Sequence, residues 1–347
     1  MTTIDLRSDT VTLPTAEMRE AMACADLGDD VFGEDPTMNH LETLFAERVG
    51  MEAALFVASG TMGNVTCVLT HCARGEEVIL GTQSHIFLNE AGGMAALGGI
   101  FPHTIEDQPD GTLRLEQIDA AIRPENIHFP RTRLLCLENT HNRCYGAPLT
   151  PQYTAAAVAL AKGRGLLVHL DGARLFNAGV ALGVDVRELT RGVDSVNICL
   201  SKGLAAPVGS VVCGSRDFIA RARRTRKMLG GGMRQAGVLA AAGIVALERM
   251  VGRLAEDHAL ARRLAEGIAQ IPGLATEPER VQTNILYVDL CDRRFSDAAF
   301  MARLAERGLR LSHTGPARFR MLTHHGIDGA AIDAALAALR AVIQNPC

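Results

Sequence analysis

The sequence predicts an α/β fold: a mostly parallel central sheet flanked by helices, followed by a smaller α/β unit. Three observations predict it. From residue 53 onward, short apolar runs alternate with helical stretches, the pattern of parallel strands joined by crossover helices. At 347 residues, 48% hydrophobic and 21% charged, the chain can bury a substantial core as an ordinary globular protein. The alternation breaks at Gly230-Gly231-Gly232, and beyond it strands become few.

Taken in order, residues 3–13 read as extended and polar, ending at Pro14, with a helix near Ala16–Ala25. The stretch from Gly28 to Pro36 is turn-rich and acidic, and suits a plain surface loop or an ordered loop over a cleft equally well. Asn39–Val49 places Leu41, Leu44, Phe45 and Val49 on one face of an amphipathic helix. Ala53–Val57 is a short strand, and Ser59-Gly60-Thr61-Met62-Gly63-Asn64 opens a helix running to about Cys72. Glu77–Leu80 is the next strand, and His85–Leu97 reads as one helix. Gly99–His103, Leu134–Leu137, Gly165–Leu170, Ser195–Cys199 and Val208–Cys213 are further strands, with helices over 115–122, 151–164 and 216–228. A helical stretch from about Gln235 to Ile271 breaks or bends near Gly252. Strands at Ile285–Leu290, Gly308–Leu311 and Arg318–Leu322 and helices at Asp297–Arg307 and Asp328–Ile343 complete the chain. The expected division is a large domain over 1–240 and a small α/β domain over 241–347.

Charge is nearly balanced, 35 basic against 39 acidic residues, which favours neither a nucleic-acid nor a membrane-surface partner. Met1 to Thr10 include Asp5, Arg7 and Asp9 and do not resemble a signal peptide, and no apolar run approaches a membrane span. Nine cysteines without a C-x-x-C pair read as small core residues in a reducing cytoplasm. The eleven histidines lack chelating spacing, so no metal site is expected.

The chemistry centres on Ser195–Cys199 and the Ser201-Lys202-Gly203 that ends it. A lysine between two buried strands is costly to hold as a cation, and only a neutral amine attacks a carbonyl to form a Schiff base. Alone, a strand-end lysine that reaches to solvent is the simpler reading. Four further features converge on a phosphorylated, electron-poor ring. Gly60 and Thr61 open a helix whose free N–H groups suit an anion, although Ser-Gly-Thr is also an ordinary cap. The dinucleotide G-x-G-x-x-G and the P-loop Gly-Lys-Ser/Thr are both missing there. Asp171 ends a buried strand, where a carboxylate can keep a pyridine nitrogen protonated; the competing reading pairs it with Arg174. His85 can stack on a flat ring or be a simple helix-start residue. Lys227 and Arg234 flank the triple glycine and could reach a phosphate, across a subunit interface or otherwise.

These residues resemble the L-threonine aldolases, pyridoxal-phosphate enzymes of the aspartate-aminotransferase-like fold. The likeness runs through Asp5-Leu6-Arg7-Ser8-Asp9-Thr10, the Gly28–Pro36 stretch, Glu138-Asn139-Thr140-His141-Asn142, His169-Leu170-Asp171-Gly172-Ala173-Arg174, Cys199-Leu200-Ser201-Lys202-Gly203 and Gly230-Gly231-Gly232-Met233-Arg234-Gln235. It implies that Lys202 carries pyridoxal 5'-phosphate, Asp171 pairs with the ring nitrogen, Gly60 and Thr61 bind the phosphate, and His85 stacks on the ring. Ser8, Arg174 and Arg320 would hold the substrate carboxylate, and His85 and His128 would stand near the substrate hydroxyl, either being the base. Lys227 and Arg234 would extend into a neighbouring subunit's site, so a homodimer, often paired into a homotetramer, would be the active unit. Phe32 departs from the tyrosine many relatives carry, which bears on substrate selectivity. The implied reaction is cleavage of L-threonine, L-allo-threonine and related β-hydroxy-α-amino acids to glycine and an aldehyde. A pyridoxal-phosphate transaminase, racemase or decarboxylase would share Lys202 and Asp171 without the paired histidines, and a non-catalytic relative would keep only the fold.

Overall fold

Side-chain caps start many of the helices in this computed structural model, which describes residues 3–345. Asp35, Ser59, Thr150, Ser215, Ser296 and Asp328 each accept a bond from the third N–H of the helix that follows, with proline opening the first turn after Asp35 and Thr150.

The strands are β1 (Ile4–Asp5), β2 (Ala53–Val57), β3 (Glu77–Gly81), β4 (Phe101–Ile105), β5 (Thr132–Glu138), β6 (Leu167–Asp171) and β7 (Ser195–Cys199). They continue as β8 (Ser210–Gly214), β9 (Leu274–Ala275), β10 (Ile285–Leu290), β11 (Leu309–Arg310), β12 (Ser312–Gly315) and β13 (Arg318–Leu322). Seven of them form one sheet in the order β2-β8-β7-β6-β5-β3-β4. Only β8 runs against the others. Alternate residues enter opposite cores: Leu135 and Leu137 pack into one, Leu134 and Cys136 into the other. Both faces are therefore covered, as a parallel sheet requires.

A second sheet, β12-β13-β10-β9, is antiparallel, and β1 pairs with β11 in parallel. Its core joins Leu6 and Tyr145 to residues between Ala261 and Ile343, whereas the main core still includes Ala240 and Leu254. No helix among the described residues is long and apolar enough to cross a membrane. Six buried cysteines (Cys67, Cys72, Cys136, Cys144, Cys199 and Cys213) are unpaired, as are exposed Cys24 and Cys291; Cys347 lies outside the described residues.

Three expectations are corrected. The single helix over His85–Leu97 is two, His85–Leu88 and Gly93–Gly98, because Ala91 (φ 53) and Gly92 (φ 67) adopt the left-handed conformation between them. The 31-residue spacing from Asp171 to Lys202 has room by sequence for one helix and one strand, but it holds two helices before its strand, Leu175–Leu182 and Val186–Leu189, with Gly183 (φ 64) ending the first. The strand over Gly308–Leu311 is shorter, Leu309–Arg310 (β11) paired with β1, and an unexpected strand, β12, follows it and pairs with β13.

Three histidines are held unprotonated inside this packing: burial lowers His71 to about 3 and His169 and His258 to about 4. The Nε2 of His258 accepts a 3.1 Å bond from the Asn177 amide and must be deprotonated to do so. A folded-state pKa near 4 against an ordinary 6.5 means the unfolded chain takes up the proton first, so stability is lost as pH falls from 6.5 to 4. Urea unfolding across that window should show wild type losing more stability than His258→Gln; parallel curves would contradict this.

Candidate active site

The carboxyl ends of the parallel strands gather the polar groups. Glu138 ends β5 and Asp171 ends β6, and they are direct neighbours in register, as are Asp171 and Asn197 of β7. Lys202 follows β7, Gly60 follows β2 and His85 follows β3, so all five strands deliver a functional group to one edge.

The helix Gly60–His71 lies very close to that edge. A Cβ at Gly60 would stand 2.7 Å from Cys199 Sγ, and one at Gly63 would stand 2.1 Å from Asn197 Oδ1. Ser59 satisfies the N–H groups of Met62 and Gly63 through its hydroxyl and its carbonyl. The N–H groups of Gly60 and Thr61 precede the first intrahelical bonds and have no acceptor among the described residues. These two free N–H groups suit a phosphate, and a side chain at Gly60 would meet Cys199 and hold the helix start away from the sheet edge.

Asp171 is buried, its Oδ1 accepting from the Ala173 N–H (3.1 Å) and its Oδ2 from the Asn64 amide (2.8 Å). The same amide nitrogen donates to Glu90 Oε1 at 2.7 Å. Glu90 Oε1 in turn lies 2.9 Å from His85 Nδ1, and the His85 N–H donates to Glu138 at 2.6 Å. Burial works against protonating His85, but the Glu90 bond and the Asp171 and Glu138 charges outweigh it and raise its pKa. Ligand atoms of His85, Glu90 and Asp171 lie within 4.8 Å of one another, with the Asn64 amide bridging the two carboxylates.

Beside Lys202 stands a second group. Arg174, buried, forms two 2.7 Å bonds to Asp9, whose Oδ2 also accepts from Asn284 (3.1 Å). The Arg174 and Lys202 charges hold Asp9 well below the usual carboxylate range against the cost of its burial. Arg320 donates to Asn142 Oδ1 (2.9 Å) and to the Arg7 carbonyl, while its buried Nε has no partner. Burial and the nearby Arg174 push the Arg320 pKa down, the state of a cation that lacks an anion. Ser8, on the adjoining segment, accepts from the Thr10 N–H and hydroxyl.

A model of the beta-eliminating lyases matches residues 5–291 of this chain. The chain belongs to the beta-eliminating lyase family. A low-specificity L-threonine aldolase of Arabidopsis thaliana is 49% identical over 331 residues, covering 94% of this chain and 92% of that protein. The structure of a Leishmania major threonine aldolase superposes with a TM-score of 0.84 at 20% identity, covering 98% of this chain and 99% of that one. A structure of SPT with PLP matches with a TM-score of 0.75 at 20% identity, over 99% and 87%. The fold is accordingly the aspartate-aminotransferase-like one.

Within this lyase, Lys202, Asp171, His85, Gly60, Thr61, Arg174, Arg320 and Ser8 all come from segments that reach the strand-end region. His128 does not join them: it sits exposed on the turn 124–129, its N–H bonded to Asn126, with no bond to the Asp171 group among the described residues. Lys227 and Arg234 are exposed, and Arg234 pairs with Asp29. The alternative pairing of Asp171 with Arg174 is not found, since Arg174 turns to Asp9. The acidic Gly28–Pro36 stretch is tied down from below: Asp30 pairs with buried Arg226, and Asp35 caps a helix and accepts from Gly237, leaving Phe32 72% exposed.

Asp9, Asn64, Glu90, Glu138 and Asn197 were not singled out from sequence. Glu138 carried a readable signal, because Leu134-Leu135-Cys136-Leu137-Glu138 repeats the apolar-run-then-acid pattern of Asp171. The Asp9–Arg174 pair gives a direct test. Asp9→Ala leaves a buried guanidinium unpaired and should cost about 3–5 kcal/mol in urea unfolding of the apoprotein. A loss within experimental error would show that Arg174 finds other compensation.

Proposed function

We propose that this chain cleaves L-threonine, L-allo-threonine and related β-hydroxy-α-amino acids to glycine and an aldehyde, using pyridoxal 5'-phosphate. The observation that carries this is the placement of Asp171 and Lys202 on one sheet edge with the open Gly60–Thr61 helix start beside them. The threonine aldolase names of the similar proteins support it. When bound, the cofactor supplies an electron sink for the pair left at Cα as the Cα–Cβ bond breaks.

The chain's own groups do the rest. Gly60 and Thr61 would hold the cofactor phosphate through their backbone N–H groups, and Lys202 would be its anchoring amine. Asp171 would keep the ring nitrogen protonated, a task worth about 1.4 kcal/mol for each pKa unit shifted. Arg320, with its partnerless Nε, and Arg174 and Ser8 beside it receive the substrate carboxylate. That anchors the substrate so that its hydroxyl points at a histidine. His85 takes the hydroxyl proton while the Cα–Cβ bond opens to the aldehyde carbonyl, and a proton delivered to Cα completes glycine.

His128 enters this scheme through assembly. Ile127 (97% exposed) and Phe129 (44%) flank it, and Phe32 and Met228 (71%) are exposed near Lys227 and Arg234. Apolar groups so placed suit a homodimer or homotetramer whose subunits cover them and lend His128, Lys227 and Arg234 to shared sites. The two cores support a two-unit chain, with the crossing between Leu254 and Ala261 rather than at 240 and with β1 lent to the second unit. Unpaired, buried cysteines suit the reducing cytoplasm.

The purified holoprotein should be yellow, lose its colour with borohydride, and release acetaldehyde and glycine from L-threonine. Lys202→Ala should reduce that release to background. Pyruvate-dependent loss of the amino group in place of aldehyde formation would replace the aldolase reading with a transaminase.

A further inference from the structure

We propose that Glu90 is a positioning residue: its carboxylate holds the His85 imidazole as the Nδ1–H tautomer and leaves Nε2 as the basic atom of the site. This deepens the proposed aldolase reading and rests on it for the direction of proton flow. The tautomer itself does not depend on that reading.

The geometry is specific. Glu90 Oε1 lies 2.9 Å from His85 Nδ1, and an ionised carboxylate only accepts, so Nδ1 must donate. Nε2 makes no hydrogen bond among the described residues and is not a buried partnerless atom. It is the free nitrogen of a ring whose side chain is 29% exposed. Glu90 is itself fixed. Its Oε1 accepts 2.7 Å from Asn64 Nδ2, and Asn64 Oδ1 is held by Asn197 Nδ2 (3.0 Å) and His169 Nε2 (3.1 Å).

The backbone is shaped to make this contact. On a continuous helix, residues i and i+5 are about 140° apart around the axis and do not face each other. His85 and Glu90 meet because the helix stops at Leu88 and Asn89 leaves the helical conformation (φ −123, ψ 15) immediately before Glu90. Ending a helix this early gives up backbone hydrogen bonds, and what the turn delivers is the Glu90 side chain against His85.

The charges that face the pair are Asp171 from β6 and Glu138 from β5, with the buried thiols of Cys67 and Cys136 behind them. Glu90 and Asp171 are like charges bridged by one amide, and burial together with Asp171 raises the Glu90 pKa. His85 becoming a cation as it accepts the substrate proton relieves that repulsion, so the site favours the protonated ring when the hydroxyl gives up its proton. This is the logic by which a buried acid orients the histidine of a hydrolase triad.

The test uses Glu90→Gln, with Glu90→Asp and His85→Asn as companions. In the apoprotein labelled with nitrogen-15 histidine, His85 should show the Nδ1–H tautomer in wild type. In Glu90→Gln that preference should be lost and the ring should titrate at lower pH; Glu90→Asp should restore both at least in part. In the holoenzyme, Glu90→Gln should lower kcat on L-threonine by about 10²-fold. KM and pyridoxal-phosphate affinity should stay within about threefold, and the acid limb of the rate profile should move to lower pH. An unchanged tautomer and titration in Glu90→Gln would overturn the proposal, as would a loss of activity that tracks loss of cofactor binding. Full activity in His85→Asn would instead overturn His85 as the base while the tautomer measurement still decided what Glu90 does.

Discussion

The parallel register of β5, β6 and β7 is the constraint on which the rest of the molecule depends. Glu138 lies opposite Asp171, and Asp171 opposite Asn197, because their strands leave the sheet at the same edge. A slip of one residue in β6 would send Val168 and Leu170 out of the main core and turn Asp171 to the opposite face. The alternation of apolar residues therefore fixes where the carboxylate emerges, at no cost beyond that of building the core. The glycines at 60 and 63 extend the same constraint to the helix, since it reaches the edge only because neither carries a side chain.

The second dependence runs between the two cores. Asp9 comes from the segment that supplies β1 to the C-terminal unit, Arg174 starts a helix of the main unit, and Asn284 immediately precedes β10. One carboxylate, fully buried, bonds to both partners. The guanidinium next to Lys202 is thus held in place by a group from the far side of the junction. Asn177, bonded to His258, spans the same junction.

Legibility in the sequence followed the range of the forces involved. Ala53–Val57, Ser195–Cys199, Ile285–Leu290 and Arg318–Leu322 were readable to the residue because an apolar run bounded by turn or polar residues is a local signal. Lys202 and Asp171 were readable because they end such runs. The break inside His85–Leu97 was not, because Met94-Ala95-Ala96-Leu97 favours helix and the reason to stop is a contact that only the turn creates. Asp9 and Asn64 were hidden for a related cause. Asp9 meets Arg174 across 165 positions and Asn64 meets Asp171 across 107, and nothing local marks either as part of a site.

The polar groups at the edge are also sorted by sign, and this bears on how a zwitterion would lie there. The charges of Glu90, Asp171 and Glu138 act on His85, while Arg174 and Arg320 stand near each other, Arg174 already matched by Asp9. Arg320 is the cation left in deficit, with a buried Nε that no group accepts from and a like charge nearby. In the proposed reading a substrate carboxylate would repair both defects at once and would bind there in preference to the acidic side, where it would face three carboxylates. With that end so held, the proposed reading has the β-hydroxyl on the side of His85. After cleavage the charges stay with the glycine half, and the aldehyde retains neither the carboxylate nor the amino group by which the substrate was held. The asymmetry that would orient the substrate in the proposed reading therefore holds nothing of the uncharged product.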